Sequence, residues 1–183
     1  MTGEASPYML FHPLVPERVA RDLPPTTRFI VLLRDPVQRA ISAYWFNRQM
    51  NWDKKSFRVA METEVERLAG HEERVRNGER SLNHQLFSYA ARGHYAEQLR
   101  RWSSHIECER LLIVKSEDLF SLPVVADEIL TWLGLSPFDR PFPQTNMAVR
   151  PEDGDADIVA GLERHLEPHN EGLEKLLGRR FWS

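Results

Sequence analysis

The sequence predicts an α/β fold in which a small parallel sheet is flanked by helices, and three observations lead to it. Two short runs, Phe29-Ile-Val-Leu-Leu33 and Arg110-Leu-Leu-Ile-Val-Lys115, carry no polar alternation, the pattern of parallel strands covered on both faces. Stretches with apolar residues at helical spacing lie between and after them. The first run turns within two residues into such a helix, the step from which parallel sheets are built.

In chain order, residues 3–14 read as a loop leading into a short helix over Pro16–Leu23, with Val19, Ala20 and Leu23 at helical spacing and Pro24-Pro25 as the stop. The first strand follows. Asp35 is then a good N-cap and Pro36 a suitable first helical residue, since it gives up no hydrogen bond there. Val37, Ala40, Ile41, Tyr44 and Trp45 repeat on one face of that helix. Residues 54–77 look helical and highly charged, with Phe57, Met61, Val65 and Leu68 as the apolar edge and Asn77-Gly78 as the end. A helix from Ser81 to about Arg92 is interrupted by Gly93, and the next carries Tyr95, Leu99, Trp102 and Ile106 on one face. After the second strand, 123–134 reads as a helix with Val125, Ile129, Leu130 and Leu133 inward and Gly134 as its cap. Residues 136–154 are rich in Pro, Gly, Asn and Asp, a loop whose length suggests function. Two closing helices are expected, about 155–166 and 168–177, with Gly178 ending the second and Phe181-Trp182 tucked on the core.

The 183 residues suit one domain, 1–183, with an adequate core. A net charge of -3 supplies no basic field for nucleic acid. The single cysteine, Cys108, excludes an intramolecular disulfide and a thiolate metal cluster, and its charged turn gives no reason for a reactive thiol. No apolar run approaches the ~18 residues of a membrane span, and no basic segment precedes an apolar one as in a signal peptide. A cytoplasmic, soluble chain is the expectation.

Arg34 is the principal candidate for chemistry. It stands at the carboxyl end of the first strand beside a helix N-terminus, where open α/β sheets bind ligands and backbone N–H groups favour anions. Its guanidinium offers a fixed bidentate fork for a phosphate dianion, and Ser42, on the polar flank of the helix with Gln38, can add a hydroxyl. The bland alternatives are an Arg34–Asp35 pair and a solvated Ser42. Glu117 and Asp118 follow the second strand and read as a cap with a solvated acid. Tyr95 and Trp102 read as packing residues. His165 and His169 are four apart, but Pro168 between them is expected to break the helix and no third ligand keeps a suitable spacing, so no metal site is expected.

The motif Leu33-Arg34-Asp35-Pro36-x-x-Arg39-x-x-Ser42-x-Tyr44 resembles the 3′-phosphate-binding motif of sulfotransferases that use 3′-phosphoadenosine-5′-phosphosulfate, closest to the bacterial and heparan-sulfate-type group. Further stretches agree in order: Gly3-Glu4-x-Ser6-Pro7-Tyr8; Gly93-x-Tyr95-x-x-x-Leu99-x-x-Trp102 with Arg110-Leu-Leu-Ile-Val and Glu117-Asp118-Leu119; and Glu167-Pro168-His169-Asn170-x-x-Leu173-x-x-Leu176-Leu177-Gly178. The resemblance implies a P-loop-NTPase-like sulfotransferase fold, with Arg34 and Ser42 on the donor's 3′-phosphate. It aligns 136–154 with the family's late nucleotide-covering loop, which usually carries Lys-Gly-Arg. Here Asn146-Met-Ala-Val-Arg150-Pro151 keeps only Arg150 as a phosphate-contacting group.

The family's 5′-phosphosulfate loop, rich in Gly, Ser or Thr with a lysine, has no counterpart. Gly3 is the only glycine in the first 69 residues, and no Gly-x-x-Gly-Lys occurs. That loop, its strand and the family's general base are expected upstream of Met1, so the chain reads as a truncated sulfotransferase domain. One hypothesis makes it part of an enzyme moving a sulfuryl group from the donor to a hydroxyl or amine. The other makes it a non-catalytic module binding a 3′-phosphorylated adenosine nucleotide or a partner protein. The acceptor would be a small molecule or carbohydrate, with the acidic balance weighing against a polyanionic glycosaminoglycan. An exposed sheet edge would favour self-association.

Overall fold

The computed structural model describes residues 2–136 and 155–182. Helix α1 (Val15–Asp22) precedes β1 (Phe29–Leu33), which pairs in parallel with β2 (Leu111–Lys115), Phe29 opposite Leu111 and Leu33 opposite Lys115. Helix α2 (Pro36–Gln49) leaves β1 as expected, capped by the Asp35 carboxylate, which accepts from the Gln38 N–H at 2.8 Å. Its Val37, Ala40, Ile41 and Tyr44 are buried, and Trp45 packs against that cluster.

Between the strands run α3 (Phe57–Glu62), α4 (Glu64–Leu68), α5 (His71–Arg76), α6 (Leu82–Leu86) and α7 (Tyr95–Ser103), with a 3₁₀ turn at Ala91–Gly93. The charged 54–77 segment is therefore three short helices and not one. Thr63 closes the first, and Gly70, in the left-handed region at φ 74°, opens the third. Phe57 is buried as expected, but Val65 is 82% exposed because the chain turns between the helices and breaks the common face. The expected 81–92 helix also stops early, at Leu86. Beyond it Ser88 and Tyr89 turn inward and are fully buried.

One face of the sheet rests on α7 and on α10 (Ala156–Leu177). Val31 and Leu33 join Tyr95, Ala96, Leu99, Leu173 and Phe181 in a single cluster, with Trp182 packed beside it. The opposite face is less covered than the apolar runs imply. Ile30 is 38% and Leu32 49% exposed, although Val114, paired beside Leu32, is buried. After β2 come α8 (Ser116–Ser121) and α9 (Pro123–Leu133), the latter capped by Gly134 at φ 75°. Val125, Ile129, Leu130 and Leu133 of α9 reach only partial burial.

The closing pair of helices is one. α10 continues through Pro168, which lacks the N–H its turn needs and costs an isolated helix about 3 kcal/mol. Leu162 and Leu166 before the proline and Leu173 after it are all buried, and the helix packs against both α7 and α2. Tertiary packing on both sides of Pro168 overrides the local break. Gly178 ends the helix in the left-handed region, as read.

Candidate functional site

Arg34 and Ser42 are both half-buried, one at the end of β1 and the other in the second turn of α2. Gln38 and Ser42 are four apart and share a flank of the helix. Among the described residues the Arg34 guanidinium has no carboxylate within salt-bridge distance, and Asp35 is committed to its capping bond. The Arg34–Asp35 pair considered from sequence is therefore not formed. Arg150 lies outside the described residues.

The backbone that carries Arg34 is held at both polar atoms of one peptide group. The Tyr95 hydroxyl donates to the Arg34 carbonyl at 2.9 Å, and the Asp35 N–H donates to Glu117 Oε1, also at 2.9 Å. Glu117 Oε2 accepts in turn from the Ser116 hydroxyl. Tyr95 is buried at the start of α7 and Glu117 stands at the start of α8, so the peptide is fixed from two elements at once. Burial pushes the Tyr95 hydroxyl up to about 12, which keeps it a hydrogen-bond donor at neutral pH. Glu117, read from sequence as a cap, is instead a bridge between the two strand ends.

These bonds also change the expected anion chemistry. The carboxylates of Glu117 and Asp35 take the Asp35 and Gln38 N–H groups at the entrance of α2, and Pro36 has none, which leaves Val37 as the first-turn N–H that neither carboxylate takes. An anion here meets the guanidinium and hydroxyl more readily than the helix terminus. The motif's second arginine, Arg39, points inward, donates to the Tyr89 carbonyl and shares the interior with Glu64 and Arg34. Burial holds its acidity above that of an ordinary guanidinium, that is, its pKa is lowered.

Two buried acids escaped the sequence reading because they sit in a segment whose charges look solvated. Glu64 accepts from the Ala90 and Ala91 N–H groups at 2.7 and 2.9 Å, and burial raises its pKa. Asp53 is 2% exposed and accepts from Arg67 and from the Tyr89 hydroxyl, each at 2.8 Å. Both acids brace the 87–91 turn that precedes Tyr95. The continuity of α10 also overturns the stated reason for setting the histidines aside. His165 and His169 share a helix face, and the His94 ring stacks on His169 with centroids 3.5 Å apart.

The sulfotransferase domain profile matches residues 10–142. The membrane-associated sulfotransferase kil1 of Dictyostelium discoideum is 24% identical over 99% of this chain and 53% of its own length. The crystal structure of a sulfotransferase from Alicyclobacillus acidocaldarius superposes with a TM-score of 0.70 at 32% identity, covering 98% of this chain and 65% of that one. The chain spans less than two thirds of the length of either relative. Among the described residues no helix is long and apolar enough to cross a membrane. A profile match over well over half of the chain, together with a shared fold and the strand–turn–helix motif, shows that this chain belongs to the sulfotransferase family.

Proposed function

We propose that the chain supplies the 3′-phosphate half-site of an enzyme that takes a sulfuryl group from 3′-phosphoadenosine-5′-phosphosulfate. In such a transfer the oxygen or nitrogen of an acceptor attacks sulfur and the bond from sulfur to the 5′-phosphate breaks. The acceptor's proton passes to a base and 3′,5′-bisphosphoadenosine departs. The acceptor in this reading is a hydroxyl or amine of a small molecule or carbohydrate.

The observation that carries the reading is the clamped Arg34–Asp35 peptide beside a guanidinium that pairs with no carboxylate among the described residues. A rigid backbone with a side chain free of internal acids is what recognition of a dianion requires, because little ordering remains when the ligand arrives. Arg34 would form the charge-assisted fork, Ser42 would donate one hydrogen bond, and Arg150 would add a second cation.

Calorimetric titration tests this with 3′,5′-bisphosphoadenosine against 5′-adenosine monophosphate. The bisphosphate should bind more tightly, and Arg34→Ala should weaken it by about 10–100-fold, the worth of a hydrogen-bonded charge of 1.5–3 kcal/mol. Ser42→Ala should lose less, about tenfold or under. Equal affinity for the two nucleotides, or indifference to both substitutions, overturns the assignment.

A further inference from the structure

His94, His165 and His169 each offer a ring nitrogen, and the three nitrogens lie within 4.8 Å of one another. We propose that this cluster binds one divalent transition-metal ion of the zinc type, joining the start of α7 to the middle of α10.

The ligand chemistry fits. Imidazole suits zinc, copper and nickel, and two histidines four apart on one helix face are a recurrent bidentate unit. Zinc–nitrogen bonds of about 2.0–2.1 Å put tetrahedral ligand atoms about 3.3 Å apart, so the cluster needs to close by about 1.5 Å at most. His165 is exposed and free to rotate by that much, whereas His94 and His169 are stacked with their planes 5° apart, so their in-plane lone pairs converge on one ion only once the His169 ring turns out of the stack. His94 is fixed by its place ahead of α7, and its Nε2 is buried with no hydrogen-bond partner. A buried polar nitrogen ordinarily has one. Glu97 Oε1 lies 3.5 Å from His169 Nδ1, the carboxylate–histidine arrangement that orients a ring and leaves Nε2 for a metal.

The charge state also suits. Burial, reinforced by His169, His165 and Arg39, drives the His94 pKa down to about 4, and burial lowers that of His169. Both rings are neutral at pH 7, as ligands must be. Arg39 is the one cation facing His94 from α2, and Glu64 faces both Arg39 and His165 and offsets it. Three protein ligands leave a fourth position on the side of exposed His165, which water can fill. His94 immediately precedes Tyr95, so an ion here would stiffen the segment that clamps Arg34.

The test uses the untagged chain after chelator treatment, titrated with zinc against a chromophoric competitor, with thermal melting in parallel. One zinc per chain is expected, with a rise in melting midpoint that saturates with occupancy. His165→Ala and His169→Ala should each weaken binding at least tenfold, since even outer partners are worth about 10–100-fold. His105→Ala, an exposed histidine outside the cluster, should bind as the parent does. Cobalt should give the visible absorption of a four-coordinate site, and His165→Ala, on an exposed position and folded by circular dichroism, should lose it. Absence of saturable binding up to millimolar zinc, or equal effects of His105→Ala and His165→Ala, overturns the proposal.

Discussion

The chain contains two strand-then-helix units that end up very differently packed. After β1, α2 buries Pro36, Val37, Ala40, Ile41, Tyr44 and Asn47, and is enclosed by α10 and the 3₁₀ turn at 91–93. After β2, α9 buries no residue fully, although its mean hydropathy exceeds that of α2. Its reach back to the sheet includes Arg28, which donates to the Trp132 carbonyl and lies over the Trp132 ring at 5.2 Å. Apolar content therefore does not decide burial here; the number of elements closing on a helix does. The candidate site belongs to the enclosed unit, where backbone positions are fixed by packing from several sides.

The largest effect should come from the polar brace of the enclosed unit. Arg67 and Asp53 are 13% and 2% exposed and pair at 2.8 Å, with the Arg67 guanidinium also 3.8 Å from the Phe87 ring. Arg67→Ala leaves a buried carboxylate, and urea unfolding should show a loss of about 3–5 kcal/mol. Burial alone would raise the Asp53 pKa, but the bonds from Arg67, the Lys55 N–H and Tyr89 outweigh it and hold it below the ordinary 3.8. A depressed carboxylate stabilises the fold above its unfolded pKa and loses that contribution as pH falls through the folded one. The parent should thus lose this increment only below about pH 4, and Arg67→Ala should show a flatter acid limb. A loss under about 1 kcal/mol would place the pair with ordinary surface bridges.

An intermediate effect is expected at Gly93, where the enclosed unit is tightest. A Cβ there would stand 2.9 Å from both Leu166 Cδ2 and Pro36 Cβ. Leu166 can give way by rotation, but Pro36 is a ring at the first turn of α2 and cannot. Gly93→Ala should cost about 1–3 kcal/mol as overpacking. It should also weaken nucleotide binding, because the strain falls on the turn between Arg34 and Tyr95. A neutral substitution would mean that α2 and α10 are free to separate at this point.

How much of this was legible follows from the range of the determining interactions. Residues 28–45 and 110–115 are readable because a strand, an Asp-Pro cap and a helical face are set by neighbours within a few positions. The parallel pairing follows from two unalternated runs with helices between them. Pro168 misleads because its local cost is real, and only Leu162, Leu166 and Leu173 packing on distant elements reverse it. The His94 cluster was hidden behind that same misreading. Asp53, Glu64 and the roles of Tyr95 and Glu117 at the Arg34–Asp35 peptide depend on partners 14 to 82 positions away, which spacing does not reveal.

The smallest effect tests the open unit. Ile129 is only partly buried in α9, so Ile129→Ala removes contacts that are already incomplete, and neighbours on an open surface can close over the gap. The cost should be about 1 kcal/mol or less, below the 2–5 kcal/mol of a closed core position. Hydrogen exchange gives the same contrast without a substitution. Amides of α9 should exchange through local opening, while those of α2 exchange near the global unfolding limit. If Ile129→Ala cost about 3 kcal/mol and α9 exchanged as slowly as α2, the two units would form one cooperative body. The partial burial of α9 would then reflect a tight contact at a few atoms and not a loosely held helix.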